Sequence, residues 1–312
     1  MEYLSLFSFS YLDLALLLIA LTIFVLRRRS NDRLRVLNGD FRGKTVFVTG
    51  GTSGIGKELA TRFSELGAKV IITGRDANKL KDVCKTINRC EGYVLDMENP
   101  DNVEQWCEKN AKSIGKLDVL IHNAGITMRE LLMNTEIGIG QKLMNVHFLS
   151  VFALTKGLLK NMKTGGQGSV ICGVGSIAGI NGLGIRTMYS SMKGSMEGFF
   201  KSLASEVKSD NIHSMVIHLG YIQTNVAKNA LVGDGSKTFG KTDPNIKKGL
   251  PVRECADRMI DSIVLRNSHE VWICNGMMMN IKMFLPKLFP WIGDYNLYHD
   301  LKKQLSGLKE AK

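Results

Sequence analysis

Thr45-Val46-Phe47-Val48-Thr49-Gly50-Gly51-Thr52-Ser53-Gly54-Ile55-Gly56 decides the fold, together with the residues that follow it. The first four are apolar and mostly β-branched, the composition of a buried strand. Gly50, Gly54 and Gly56 then supply a tight turn. Beyond them Leu59, Ala60, Phe63 and Leu66 recur at helical spacing, Gly67 ends the pattern, and Val70-Ile71-Ile72 reads as a second strand. Strand, glycine turn, helix and strand within about 30 residues predict a βαβ unit. Glycines at the turn let the backbone approach a pyrophosphate at the helix N-terminus, where free N–H groups and the dipole favour anions. Gly50, Thr52, Ser53, Gly54, Ile55 and Gly56 are therefore the candidate phosphate-loop contacts.

A glycine turn by itself is common, and its placement between a strand and a helix is what makes it specific. The pattern then repeats, with apolar strands at 92–95, 117–121, 169–172, 213–218 and 271–274 separated by helix-length segments. Such alternation predicts an α/β Rossmann fold, a doubly wound parallel sheet with helices on both faces and ligands outside the carboxyl ends of its strands. No repeat or long linker divides residues 41–275. The chain is accordingly divided into an apolar anchor with a basic flank at 1–29, a Rossmann domain at 30–275, and an apolar extension with a basic tail at 276–312.

The end of the second strand selects the cofactor. An acidic residue there binds the ribose 2′-hydroxyl of NAD, whereas an arginine accommodates the 2′-phosphate of NADP. Here Ile72-Thr73 is followed by Gly74 and Arg75, which predicts NADP(H), with Asp76 the one nearby carboxylate that competes.

Ser176, Tyr189 and Lys193 carry the chemistry. Tyr189 and Lys193, at i and i+4, share one helix face. A lysine cation there can lower the tyrosine pKa, and a serine at a neighbouring strand end can hold the substrate oxygen. The phenol can then act as base in alcohol oxidation or as acid in carbonyl reduction while hydride moves to or from a nicotinamide.

With these residues in place the chain resembles the short-chain dehydrogenase/reductases over about residues 42–275. The likeness runs through Thr49–Gly56, Asp96 after the third strand, Asn123-Ala124-Gly125 after the fourth, then Ser176, Tyr189, Lys193 and Gly220-Tyr221-Ile222-Gln223-Thr224. The resemblance implies that Asp96 and Met97 flank the adenine and that Asn123, with Ala124 and Gly125, supports the sheet beside the cofactor. It implies that Ile222 and Thr224 contact the nicotinamide amide, that Lys193 also binds the ribose, and that the protein is a homodimer. The chain departs from the family pattern at three places. His147 stands where an asparagine commonly orders a water for the lysine, and a histidine can serve the same proton relay; Asn145, turned away by about 200° on a helix, is a poor substitute. Gly173-Val174-Gly175 adds a residue before Ser176 and predicts a bulge that re-aims the serine. Leu219 replaces a common proline.

Composition sets the outer bounds. With 44% hydrophobic and 22% charged residues, 32 Gly and 5 Pro, collagen and disorder are excluded, and a mean hydropathy of -0.01 excludes a polytopic membrane protein. The net charge of +12 would suit a nucleic-acid binder if it were spread over the surface. Instead much of it clusters at Arg27, Arg28, Arg29, Arg33, Arg35, Arg42 and Lys44, directly after the apolar run 7–26, so nucleic acid is not expected as a partner. Apolar run followed by arginines predicts an uncleaved anchor in the endoplasmic reticulum membrane with the catalytic domain in the cytosol. Asp13 leaves two modes of insertion open, a full span and a shallow insertion in one leaflet as on a lipid droplet. None of the 6 cysteines forms a C-x-x-C or zinc pattern, which suits a reducing compartment and no metal.

Residues 225–251, rich in glycine and lysine, read either as a lid over the substrate or as a surface insertion. The Met- and Phe-rich stretch after Cys274, with Lys282, Lys287 and Trp291, reads as membrane-interfacial or as a completion of the core. The resulting expectation is a membrane-anchored NADP(H)-dependent oxidoreductase for a small lipophilic alcohol or carbonyl. The alternative is an NADP-binding membrane scaffold with little activity.

Overall fold

The computed structural model describes residues 40–162, 168–241, 243–266 and 268–276, with scattered positions beyond. The anchor at 7–26, the arginines at 27–35 and both lysines of the 276–312 extension singled out above lie outside the described residues.

Seven strands form one parallel sheet. In chain order they are β1 Thr45–Val48, β2 Lys69–Gly74, β3 Cys90–Val94, β4 Val119–His122, β5 Ser169–Ser176, β6 Ile212–Leu219 and β9 Glu270–Ile273, and they lie side by side as β3-β2-β1-β4-β5-β6-β9. Two short strands, β7 Leu231–Val232 and β8 Lys237–Thr238, pair antiparallel outside it. The helices are α1 Gly54–Glu65, α2 Ala77–Thr86, α3 Pro100–Ile114, α4 Ile137–Met144, α5 Ser150–Met162, α6 Ile177–Asn181, α7 Thr187–Glu206, α8 Pro244–Lys247 and α9 Val252–Leu265, with a π turn at Asn145–Leu149 joining α4 to α5.

Alternation along the central strands sends side chains to both faces, so each face needs a cover. Val46 and Val48 of β1 pack with Phe63 of α1, Leu80 of α2 and Met259 of α9. Phe47, between them, joins Cys107 of α3, Leu158 of α5 and Phe200 of α7 on the opposite face. The order of strands reverses between β1 and β4, and the crevice at such a reversal is where ligands bind in this architecture. The expected α/β Rossmann sheet is thus present.

The bulge expected at 173–175 is not. β5 pairs with β6 residue for residue, from Ser169 opposite Ile212 to Ser176 opposite Leu219. Close packing explains the glycines instead: a Cβ on Gly173 would come within 2.1 Å of the Phe200 ring, and one on Gly175 within 2.6 Å of His218 Nδ1. Residues 225–251 are also more ordered than their sequence pattern suggests, since they contain β7, β8 and α8, with Leu231 bridged to Met128 and Leu250 bridged to Ile222. Among the described residues one stretch, Ile137–Met162, is long and apolar enough to cross a membrane. It comprises α4, the π turn and α5, whose Leu143, Leu154 and Leu158 are fully buried, so part of its hydrophobicity belongs to the core.

Candidate active site

The glycine loop begins where β1 ends. Thr49 is fully buried, and its Oγ1 accepts hydrogen bonds from the N–H groups of Asn123 and Ala124, both at 2.9 Å. Asn123 returns the contact: its Nδ2 donates to Thr49 O at 2.9 Å and to Gly50 O at 3.3 Å. The turns after β1 and β4 are thereby fastened together across the strand reversal. Gly50 is at φ 67°, and a Cβ there would lie 2.9 Å from Ala124 Cα. Ser53 caps α1 without a side-chain hydrogen bond, which leaves the first N–H groups of the helix available to an anion. Gly54 and Ser53 are exposed, whereas Gly56 is buried at the loop's base. This glycine cradle and uncapped helix start fit the pyrophosphate of a dinucleotide.

Arg75, just past β2, is exposed and pairs with Glu98, which also binds Lys142 at 2.9 Å. Asp76 is engaged as the cap of α2, accepting from Asn78 N and Lys79 N. Both bonds use Oδ1, and Oδ2 faces Lys79 Nζ at 3.8 Å, so the carboxylate that competed with Arg75 is turned to its own helix. Asp96 is exposed beyond β3. Met97 is packed into the core, and its carbonyl accepts from Ser150 Oγ at 2.8 Å.

A cavity of about 160 Å³ opens beside this loop. Ser176 reaches it from the end of β5, and Tyr189 and Lys193 from one face of α7. Ile55, Asn123, Gly125, His147, Ile222 and Thr224 line the same space. Every residue assigned to chemistry from sequence therefore meets here, together with Ile55, Asn123, Gly125, Ile222 and Thr224 of those assigned to the cofactor; the rest of the glycine loop, Arg75, Asp96 and Met97 lie outside its lining.

Close approach of α6 and α7 fixes the geometry. A Cβ on Gly179 would lie 2.4 Å from the Lys193 carbonyl carbon, so only glycine lets α6, directly after Ser176, lie against the turn carrying Lys193. The Lys193 ammonium is buried and donates to Val174 O at 2.6 Å, and burial pushes its pKa down to about 7. It stands 5.9 Å from the centre of the Tyr189 ring. Burial pushes the Tyr189 phenol up, against the opposing pull of the Ser176 hydroxyl and the charges of Arg186 and Arg129. Lys193, which the sequence offered as the cation acting on Tyr189, is thus joined near the phenol by two arginines.

His147 lies on the π turn, 1% exposed, its ring edge-on to Tyr189 with centroids 5.7 Å apart. Its Nε2 is 2.7 Å from Ile126 O and 3.2 Å from the Ile126 N–H, so it faces both an acceptor and a donor of that residue, while Nδ1 has no protein partner. Burial and the nearby Lys193 charge lower its pKa to about 3, so the ring is neutral near pH 7. Asn145 faces elsewhere, donating to Glu98 O at 2.9 Å.

The residues that sequence reading missed are Arg129, Arg186 and Asp243. Arg186 Nη2 and Arg129 Nη2 lie 3.2 Å and 3.6 Å from the same Asp243 Oδ2. One signal was available: Arg186 precedes Tyr189 by one helical turn and so shares its face.

A strand reversal with a glycine cradle, opening onto a serine, a tyrosine and a lysine, defines a dinucleotide-dependent oxidoreductase. The family model of the short chain dehydrogenases matches residues 44–233, and the chain belongs to that family. Its similarity to curated relatives extends beyond the match. It is 33% identical over 230 residues to dehydrogenase/reductase SDR family member 7B of Mus musculus, covering 71% of each chain. It is 30% identical over 293 residues to a dehydrogenase/reductase SDR family protein 7-like of Drosophila melanogaster, covering 90% of this chain and 89% of that one. Among solved structures, a protein of Beutenbergia cavernae assigned as an NAD(P)-dependent gluconate 5-dehydrogenase, with NADP bound at low occupancy, superposes with a TM-score of 0.65 at 20% identity, over 75% of this chain and 97% of that one. A metagenomic short-chain oxidoreductase in complex with NADP gives a TM-score of 0.61 at 21% identity, over 75% and 98%.

Proposed function

We propose that the protein is a membrane-anchored, NADP(H)-dependent oxidoreductase that interconverts an alcohol and a carbonyl on a lipophilic substrate such as a steroid, a retinoid or another hydrophobic carbonyl. The observation that carries this reading is the convergence of Ser176, Tyr189 and Lys193 on one cavity beside the glycine loop. NADP is favoured by Arg75 at the end of β2, by the engagement of Asp76 as a helix cap, and by the NADP bound in both solved neighbours.

The bound nicotinamide supplies hydride chemistry. Every other step falls to side chains of this chain. Ser176 Oγ holds the substrate oxygen and polarises it. Tyr189 donates its phenolic proton to that oxygen in reduction and withdraws it in oxidation. Lys193 binds the ribose and, once a ligand's negative charge enters the cavity, holds its own proton more firmly. His147 extends the path: its neutral Nδ1 accepts a proton or a hydrogen bond from the lysine side. Thr224 and Ile222 hold the nicotinamide amide, and the loop N–H groups of 50–56 hold the phosphates.

The anchor at 7–26 and its arginine flank support an endoplasmic reticulum membrane with this domain in the cytosol, or a lipid droplet. Exposed Met144 at the end of α4, Leu149 on the π turn and Phe152 on α5 support association of two copies through the helices beside the site.

Full-length protein in detergent, given NADPH or NADH separately with lipophilic ketones and aldehydes, should consume NADPH preferentially. Tyr189→Phe should lower kcat by about 10²–10⁴-fold, the usual worth of a positioned acid–base group, while nucleotide binding persists. Full activity in Tyr189→Phe would remove the assignment.

A further inference from the structure

Arg129 and Arg186 are 5% and 4% exposed, yet both line the cavity that holds Ser176 and Tyr189. They arrive from different segments. Arg129 follows Met128, which is bridged to Leu231, and Arg186 is the N-cap of α7. A 2.9 Å hydrogen bond from Glu130 N to Ile185 O ties the two segments together. Ile185 sits at φ 55°, a conformation that a β-branched residue keeps only where its surroundings enforce it. Two buried cations are thus fixed in place rather than draped over a surface.

Their charge is half answered. Asp243 serves both arginines through a single oxygen and does not itself line the cavity. Glu130, next to Arg129, turns one carboxylate oxygen to the Leu131 N–H and the Asn134 amide and does not line the cavity either. The other titratable groups facing the space are Tyr189, Tyr221, Lys193 and the neutral His147, none of which is a carboxylate. Arg129 Nη1 donates to Met128 O at 3.1 Å, but Arg186 Nε is buried with no hydrogen-bond partner. Burial, followed by repulsion from Arg186, holds the Arg129 pKa down to about 9. A buried guanidinium is stable when its charge and its donors are matched, and its planar fork matches the two oxygens of a carboxylate or phosphate. Leu183, Val226 and Ile246 supply apolar walls to the same cavity.

We propose that Arg129 and Arg186 form an anion clamp on the substrate side of the cavity, so that the substrate is an apolar carbonyl or alcohol that also bears an anionic oxygen group, a carboxylate or phosphate. The inference rests on the oxidoreductase reading and narrows its substrate class. Cofactor phosphates have their own donors on the glycine loop, to which neither arginine's segment contributes.

The test compares 4-formylbenzoate with its methyl ester, using full-length protein and NADPH. The acid should be reduced with a kcat/KM at least tenfold higher, the gain lying in KM, and Arg186→Met should bring the ratio close to one with NADPH affinity kept within twofold. Separately, benzoate should raise the melting temperature of the NADPH-bound protein where methyl benzoate does not, and Arg186→Met should abolish the rise. Equal or better turnover of the ester would overturn the clamp and leave the oxidoreductase reading standing. A tenfold loss of NADPH affinity in Arg186→Met would assign the arginines to the cofactor and overturn it as well. If neither aldehyde reacts, an Arg186-dependent benzoate shift upholds the clamp while the oxidoreductase reading fails, and absence of that shift sinks the clamp. Should Arg186→Met fail to fold, the preference of the unaltered protein and Arg186→Lys decide, since lysine keeps the charge and loses the fork.

Discussion

Lys193 is the residue whose surroundings say most about how the site works. A buried ammonium with one carbonyl acceptor has lost most of its hydration, which is why its pKa falls to about 7 from an ordinary 10.5. Between those values the unfolded chain keeps a proton that the folded, nucleotide-free protein releases. Stability must therefore rise with pH across the window, by up to about 1.4 kcal/mol per unit from this group, and carry its full penalty below pH 7. Lys193→Met removes the group. The melting temperature of nucleotide-free Lys193→Met should exceed that of the unaltered protein most at pH 6, with the gap narrowing by pH 9. A gap constant across that range would show that burial of the ammonium costs nothing. His147 is neutral in the folded protein across this range. The unfolded chain still binds its proton near pH 6, so it adds a slope at that end which is shared by both proteins and cancels in the comparison. The sequence identified these residues because a tyrosine and a lysine at i and i+4 have few ways not to meet. For Arg186 it held only the spacing from Tyr189, and for Arg129 no signal, since an arginine in a loop looks the same whether its guanidinium faces solvent or a cavity.

At the level of elements, the site depends on how closely α6 and α7 approach. Gly179 makes that approach, and the atoms facing it are backbone, which cannot move aside as a side-chain tip can. Gly179→Ala should destabilise the protein by about 1–3 kcal/mol, the usual cost of overpacking. It should also lower turnover more than NADPH affinity, because Ser176 and Lys193 flank the contact while the glycine loop lies on other elements. Denaturant midpoints and steady-state kinetics on the same preparation separate the two effects; an alanine variant with unaltered midpoint would mean the helices have room to spare. The parallel sheet was legible from alternation of apolar runs, because strands covered on both faces read as continuous hydrophobic stretches. The expected bulge in β5 failed for a related reason. Glycine is used both where a strand kinks and where a neighbour crowds it, and a single sequence carries no sign of Phe200 or His218 standing across the gap. Residues 225–251 misled in the opposite sense, since strands as short as β7 and β8 leave no period to detect.

For the whole molecule, the proposed membrane anchoring turns on which segment of the chain would meet the lipid. The apolar stretch Ile137–Met162 is half buried, with Leu143, Leu154 and Leu158 in the core and Met144, Leu149 and Phe152 exposed. The proposed anchor is residues 1–29, whose apolar run and arginine flank are read from the sequence. In cells expressing the full chain, the protein should stay with membranes through alkaline carbonate washing, and removal of residues 1–29 should release it to the supernatant. Retention of the truncated chain in the pellet would assign attachment to residues 276–312 instead.

The π turn between α4 and α5 has a consequence for how such a site can change over time. A π turn is a helix with one residue looped out, so α4 and α5 keep their own faces toward the core on either side of it. His147 is presented by that looped-out turn rather than by the regular helix surface. The position is consequently a modular one: lineages could exchange its side chain, or lose the extra residue, without rephasing the helix or reworking the sheet that it covers.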